Sequence, residues 1–174
     1  MKVKQIFFTG KGKAELLDSE IDPIKDSEVL IESVYIPISA GTERANLMRM
    51  PNTGSFNLAE GERGWGGGYS CAGIIKEVGQ NVKSVSVGDK VLAFWSENRS
   101  YNVVPEENVI RLPDKSLYLK HAAFAFIASF SAAAIRKTRL EFGESAMVFG
   151  LGILGAFAVK LLRIAGAFPL LWRI

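Results

Sequence analysis

The chain has 174 residues and a mass of 19.0 kDa, of which 48% are hydrophobic and 22% charged. That composition excludes disorder, a collagen-like repeat and a disulfide-stapled scaffold, and it leaves room for one domain with a core plus part of a second. The net charge of +3 is unevenly spread: residues 1–116 carry 14 basic and 16 acidic groups (−2), whereas residues 117–174 carry 7 and 2 (+5).

The N-terminus, Met1 to Ile6, turns polar by Thr9-Gly10-Lys11 and lacks the apolar core of a secretory signal. The longest uncharged stretches, Ala122 to Ile135 and Ser145 to Val159, fall short of the roughly 18–20 apolar residues of a bilayer span. A cytoplasmic location without a membrane partner is expected. With one cysteine, Cys71, and one histidine, His121, neither an internal disulfide nor an all-Cys/His metal site can be assembled. The cations of the basic segment are scattered among apolar residues rather than clustered with aromatics, so they read as a solvated face and no nucleic-acid partner is expected.

From Lys2 to Ser116 the pattern is that of many short strands, β-branched and aromatic residues being interrupted by Gly, Pro, Asp or Asn. The clearest are 29–36, 73–79 and 90–94, with turns at Gly79-Gln80-Asn81 and Val87-Gly88-Asp89. Between them, Met48 to Gly68 is glycine-rich and aperiodic and reads as a long loop. The composition changes at Leu112-Pro113-Asp114, which sets a boundary between residues 1–116 and 117–174. Beyond it, Leu117 to Leu140 is Ala-rich and free of Pro and Gly, predicting one helix. Ser145 to Phe149 then reads as a buried-type strand, and Ala156 to Ala165 as a helix closed by Gly166.

Strand, glycine turn and helix frame Gly150-Leu151-Gly152-Ile153-Leu154-Gly155, a G-x-G-x-x-G spacing in the context that dinucleotide binding requires. The first glycine allows the tight turn, the second lets backbone approach a pyrophosphate, and the third permits close helix packing. Free amides at the helix start then make an anion site. A glycine-rich helix start packed in a core is the plain alternative. The acidic residue expected about 20 positions later, on the ribose, is missing: Ala167 to Ile174 contains no Asp or Glu. Half of a nucleotide site is encoded.

The order of these segments, together with Gly68-Tyr69-Ser70-Cys71-Ala72-Gly73, Val87-Gly88-Asp89-Lys90-Val91 and Leu112-Pro113-Asp114, resembles the medium-chain dehydrogenase/reductase superfamily, which includes the zinc alcohol dehydrogenases. The resemblance implies a β-rich GroES-like barrel over residues 1–116, followed by an incomplete Rossmann domain over residues 117–174 that consists of a connecting helix and the first strand-turn-helix. It implies NAD or NADP as cofactor, held at Gly150, Leu151, Gly152, Ile153, Leu154 and Gly155, and a small alcohol or carbonyl substrate. Where zinc-dependent members carry a Cys-Gly-Thr-Asp segment this chain has Ala40-Gly41-Thr42-Glu43, and Gly68-Tyr69-Ser70 replaces Gly-His-Glu. A methyl, a phenol and a hydroxyl make no tetrahedral zinc cage, and the cysteine-rich structural-zinc loop is missing, so a zinc-free branch is expected.

Without a metal, donors must polarise the reacting oxygen. Thr42 matches the family's proton-relaying hydroxyl, Tyr69 lies at a vacated ligand position, and Glu43 is a supporting or acid/base candidate. The structural alternatives are that Thr42 and Glu43 cap a short helix over 45–50, and that Tyr69 is core. His121 reads as a packing residue and Cys71 as a small buried hydrophobe. Two functions follow: a zinc-free NAD(P)-dependent oxidoreductase, incomplete and weakly active or inactive as this chain; or a non-catalytic GroES-like binding or assembly module. Truncation within the second domain leaves the 146–149 strand and the apolar helix uncovered, from which homo-oligomerisation is expected.

Overall fold

The computed structural model describes residues 1–54, 59, 62, 64–113 and 118–173. Their contacts divide the chain into two compact units, Met1–Ala123 and Phe124–Ile174. The predicted boundary at Ser116/Leu117 lies outside the described residues. Residues 118–123, beyond it, join the first unit for a packing reason: Ala122 and Ala123 bury against Ala72, and Ser70 Oγ donates to the Ala123 carbonyl at 3.2 Å.

The first unit is built from two antiparallel sheets. β1 (Lys2–Gly10) forms a hairpin with β2 (Lys13–Glu20). The five-stranded sheet contains β3 (Glu28–Tyr35), β5 (Ser70–Val78), β6 (Lys90–Phe94), β7 (Tyr101–Pro105) and β8 (Val109–Arg111) in the order β7-β3-β5-β6-β8. The three clearest predicted strands are therefore present. β5 starts three residues early, because Ser70, Cys71 and Ala72 pair with Phe94, Ala93 and Leu92. Part of the predicted loop over 48–68 is also strand: β4 (Gly64–Trp65) pairs with Phe7 and Phe8 of β1.

β3 shows why this unit holds together. Successive side chains of a strand point to opposite faces. Val29 and Ile31 are fully buried with Cys71, Ile75, Val91 and Ala93, while Leu30 between them buries against Val3 and Ile21. A strand with both faces covered gains about 1.5–3 kcal/mol for each such aliphatic side chain. Between β3 and β4 lies α1 (Ala40–Leu47), which starts five residues earlier than the predicted 45–50 helix.

The Ala-rich segment forms two helices instead of one: α2 (Leu119–Ala122), which belongs to the first unit, and α3 (Ala125–Thr138), which opens the second. Nothing in the composition marks this break; the packing of Ala122 and Ala123 on Ala72 places it. In the second unit, β9 (Ala146–Phe149) leads into α4 (Ile153–Ile164), one turn earlier than predicted. Gly166, at φ +87°, follows the helix end in the left-handed conformation that suits glycine there. β10 (Leu170–Arg173) then pairs with β9 in parallel.

Candidate functional site

Each unit carries one group of the residues singled out in the sequence. In the first, Ser39 is the N-cap of α1, and the Glu43 N–H donates to the Ser39 carbonyl at 2.9 Å. The Glu43 carboxylate turns back and accepts the Ser39 N–H at 3.3 Å, in the manner of a capping box. Thr42 is therefore a first-turn residue rather than a cap. It is exposed, and its carbonyl accepts from Asn46 Nδ2 at 3.0 Å.

Glu43 is only 6% exposed. Asn98 Nδ2 donates to its Oε2 at 3.4 Å, and the Gly68 backbone adds a further hydrogen bond. Burial pushes its carboxyl pKa above the usual range, and these donors pull partly against that shift. The Gly66-Gly67-Gly68 segment is shaped to this contact. A Cβ on Gly67 would lie 2.8 Å from Glu43 Cδ, and the segment takes up positive φ at Gly67 (+85°) and Gly68 (+114°).

That segment delivers Tyr69, which is half-buried, and whose carbonyl accepts the Trp95 N–H at 2.7 Å. Trp95 is 64% exposed and holds a left-handed φ of +59°, uncommon for a bulky residue. The structure thus joins Glu43, next to Thr42, to the glycine segment that precedes Tyr69. Asn98 and Trp95 were not singled out in the sequence. Only their place in a short polar connection after a strand hinted at them.

Ala40, at the first candidate ligand position, opens α1. Ser70 is fully buried and engaged with the Ala123 carbonyl. Among the described residues no group of three His, Cys, Asp or Glu side chains is arranged to hold a metal. Cys71 is buried, which raises its thiol pKa, the neighbouring Ser96 and Ser33 hydroxyls acting the other way. His121 is exposed and meets the Tyr118 ring edge-on at 5.7 Å.

The second unit places the glycine fingerprint as a turn between β9 and α4. Gly150 has φ +86°, a conformation that a residue with a Cβ adopts at a cost of about 1–2 kcal/mol. A Cβ on Gly155 would lie 1.8 Å from the Gly150 carbonyl oxygen, so the first turn of α4 can cross the loop only with glycine there. Gly152, the N-cap, faces open space instead. Leu151 precedes it, and the amides of Ile153, Leu154 and Gly155 lie in the first helical turn, where no intrahelical acceptor exists. The first main-chain bond back onto the loop is Ala156 N–H to the Gly152 carbonyl, at 2.9 Å. The helix-start amides beside the open face of Gly152 are donors of the kind an anionic group takes. The loop is held from below by Ser131 Oγ, which donates to the Leu154 carbonyl at 2.8 Å. Arg173 at the end of β10 accepts the Gly150 N–H on its carbonyl at 2.8 Å.

No protein-family model matches the chain. It is 28% identical over 126 residues to the (R,R)-butanediol dehydrogenase of Bacillus subtilis, covering 58% of this chain and 36% of that protein. It is 33% identical over 93 residues to the human synaptic vesicle membrane protein VAT-1 homolog-like, covering 49% and 21%. Over 107 residues it is 36% identical to the reducing polyketide synthase DEP5 of Fusarium langsethiae, covering 58% and 4%.

Among solved structures, an Escherichia coli oxidoreductase/dehydrogenase of unknown specificity superposes with a TM-score of 0.85 at 19% identity, over 99% of this chain and 57% of that one. The Coxiella burnetii quinone oxidoreductase gives 0.80 at 19%, over 99% and 56%. The Bacillus subtilis 2R,3R-butanediol dehydrogenase gives 0.80 at 20%, over 98% and 57%. At such identities the likeness is one of fold. The chain spans a little over half of these solved chains and a smaller part of the curated relatives. Medium-chain dehydrogenase/reductase proteins stand among both the homologues and the structural neighbours, and it is to these that the chain is similar.

Proposed function

We propose that the chain provides the substrate-side β unit and the first cofactor-binding strand-turn-helix of a zinc-independent, NAD(P)-dependent oxidoreductase acting on an alcohol or carbonyl. The observation that carries this reading is the β9-turn-α4 geometry, in which Gly155 passes against Gly150 while Gly152 stays open. The relatives named dehydrogenases support it.

A nicotinamide bound by such a site supplies or accepts hydride. The residues of this chain do the rest. The amides of Gly152, Ile153, Leu154 and Gly155, with the positive end of α4, bind the pyrophosphate. The Thr42 hydroxyl and the Tyr69 phenol donate to the substrate oxygen as charge develops on it. Glu43, engaged by the Ser39 N–H and Asn98 Nδ2, holds the start of α1 in place. Ala40, Tyr69 and Ser70 provide no ligand set for zinc, which supports a metal-independent site.

Titration of the chain with NAD(H) and NADP(H), followed by intrinsic fluorescence, tests the cofactor half. Binding tighter than about 1 mM is expected. Weaker binding by a folded chain favours the alternative, a non-catalytic binding or assembly module. Replacing Thr42 by Val is expected to lower any carbonyl-reductase turnover about tenfold or more; unchanged turnover removes that role.

We also propose that copies associate through the second unit. Met147 and Phe149 of β9 alternate with the half-buried Ala146 and Val148 and are exposed, Phe149 by 73%, and Leu171 and Trp172 of the paired β10 are exposed as well. Parallel sheets are normally covered on both faces. Sedimentation as a monomer at tens of micromolar would contradict this.

A further inference from the structure

Asn98 lies in the connection between β6 and β7 and is 5% exposed. Its main chain is fixed at both ends: its N–H donates to the Gly67 carbonyl at 3.1 Å, and its carbonyl accepts the Ile6 N–H at 3.0 Å. Its side-chain Nδ2 serves two acceptors, the Gly66 carbonyl at 3.0 Å and Glu43 Oε2 at 3.4 Å. Its Oδ1 is buried without a hydrogen-bond partner.

An amide that leaves its oxygen unpaired in the interior is costlier there than an apolar side chain of the same shape. What distinguishes this one is its donor end, which bridges two segments that no strand pairing joins. The surroundings are fitted to it. A Cβ on Gly67 would lie 2.9 Å from Asn98 Nδ2, and a Cβ on Gly68 would lie 2.7 Å from the Asn98 nitrogen.

We propose that Asn98 is a positioning residue: its side-chain amide, acting beside the Gly68 contact to Glu43, couples the Glu43 end of α1 to the Gly66–Tyr69 segment, so that Thr42 and Tyr69 are held as one body. That the two held groups serve a substrate rests on the function proposed above; the coupling itself does not. The bridge gives a metal-independent site the rigidity that preorganised donors need.

Hydrogen exchange in the full 174-residue chain tests the coupling without any activity. Three amides report on it: Ser39 and Gly68, whose N–H groups face the Glu43 carboxylate, and Trp95, bonded to the Tyr69 carbonyl. Asn98→Ala is expected to speed exchange about tenfold at these three. It is expected to leave the Ile75 amide, bonded to the Asp89 carbonyl, unchanged. Unaltered rates, or an equal rise at Ile75, would overturn the proposal.

Should the alanine variant fail to fold, Asn98→Asp keeps the shape and removes the donor, and the same local acceleration is expected; wild-type rates would count against the bridge. Combining Asn98→Ala with Glu43→Ala should accelerate no further than the faster single variant, and additive effects would separate the two residues. In an NADPH-dependent carbonyl assay, Asn98→Ala should lower kcat about tenfold with KM within about twofold; a change in KM alone overturns the positioning role. If the wild-type chain shows no turnover, as an incomplete cofactor domain allows, the exchange data decide the coupling by themselves; the function proposed above is tested separately by the nucleotide titration.

Discussion

The second unit is the richer in apolar residues, yet it buries them to a much smaller extent than the first. In the first, Val29, Ile31, Ile75 and Val91 are at 0% exposure, because β3 and β5 are each paired on both edges and packed on their faces. In the second, the described buried hydrophobics are Ile127, Leu162 and Ala167, while Phe142, Phe149, Ile164 and Phe168 are each more than 70% exposed. An antiparallel sheet whose central strand is covered on both faces can bury its own side chains. A two-stranded parallel sheet with helices on one face cannot, so apolar composition alone does not set burial.

Several substitutions would break or sharpen this contrast. The largest effect is expected from Ile75→Ala, a cavity in the closed core that should cost about 2–5 kcal/mol in urea unfolding. In the second unit the corresponding weak point is a glycine: Gly155→Ala drives a methyl into the Gly150 carbonyl and should cost about 1–3 kcal/mol. Gly152→Ala, facing open space, should leave stability within about 0.5 kcal/mol and weaken nucleotide binding. Equal stability losses for the two variants would refute the assigned glycine roles.

A smaller, pH-dependent difference separates two carboxylates of the first unit. Glu43 has its pKa raised by burial, so the folded state holds its proton more tightly than the unfolded one. Its contribution to stability is greatest below the ordinary carboxyl pKa and declines as pH rises through the raised value. Glu106 is lowered by the Lys83 and Ser84 backbone amides, so its contribution is present at neutral pH and is lost on acidification. Unfolding curves of Glu43→Gln and Glu106→Gln across pH 3–7 should each remove one of these opposite slopes. The smallest stability change is expected from Phe149→Ala, within about 0.5 kcal/mol by denaturation, with its effect seen in sedimentation instead.

Much of the fold was legible because local patterns are enforced locally. The β-branched run over 29–36 could bury itself only as a strand, and β6 lies at its predicted bounds. The glycine fingerprint was legible for the same reason, since Gly150 and Gly155 are required by a dihedral angle and a close contact within six residues. The break between α2 and α3 was not legible. Ala123 and Phe124 favour helix, and only the Ala72 surface and the Ser70 hydroxyl interrupt it. Nor was β4, whose two residues are strand because β1 offers them an edge.

At the candidate site the division is sharper. Thr42, Glu43 and Tyr69 were recognisable as residue types at particular positions, yet the capping of α1 by Glu43 and the bridge through Asn98 join residues up to 55 positions apart. The sequence by itself determined the clearest strands, the glycine turn and the chemical character of each candidate group, all set by interactions within a few residues. Only the tertiary structure decided which apolar faces are covered and which amide reaches both Glu43 and Gly66, because burial and hydrogen bonding across long loops depend on where distant segments come to rest.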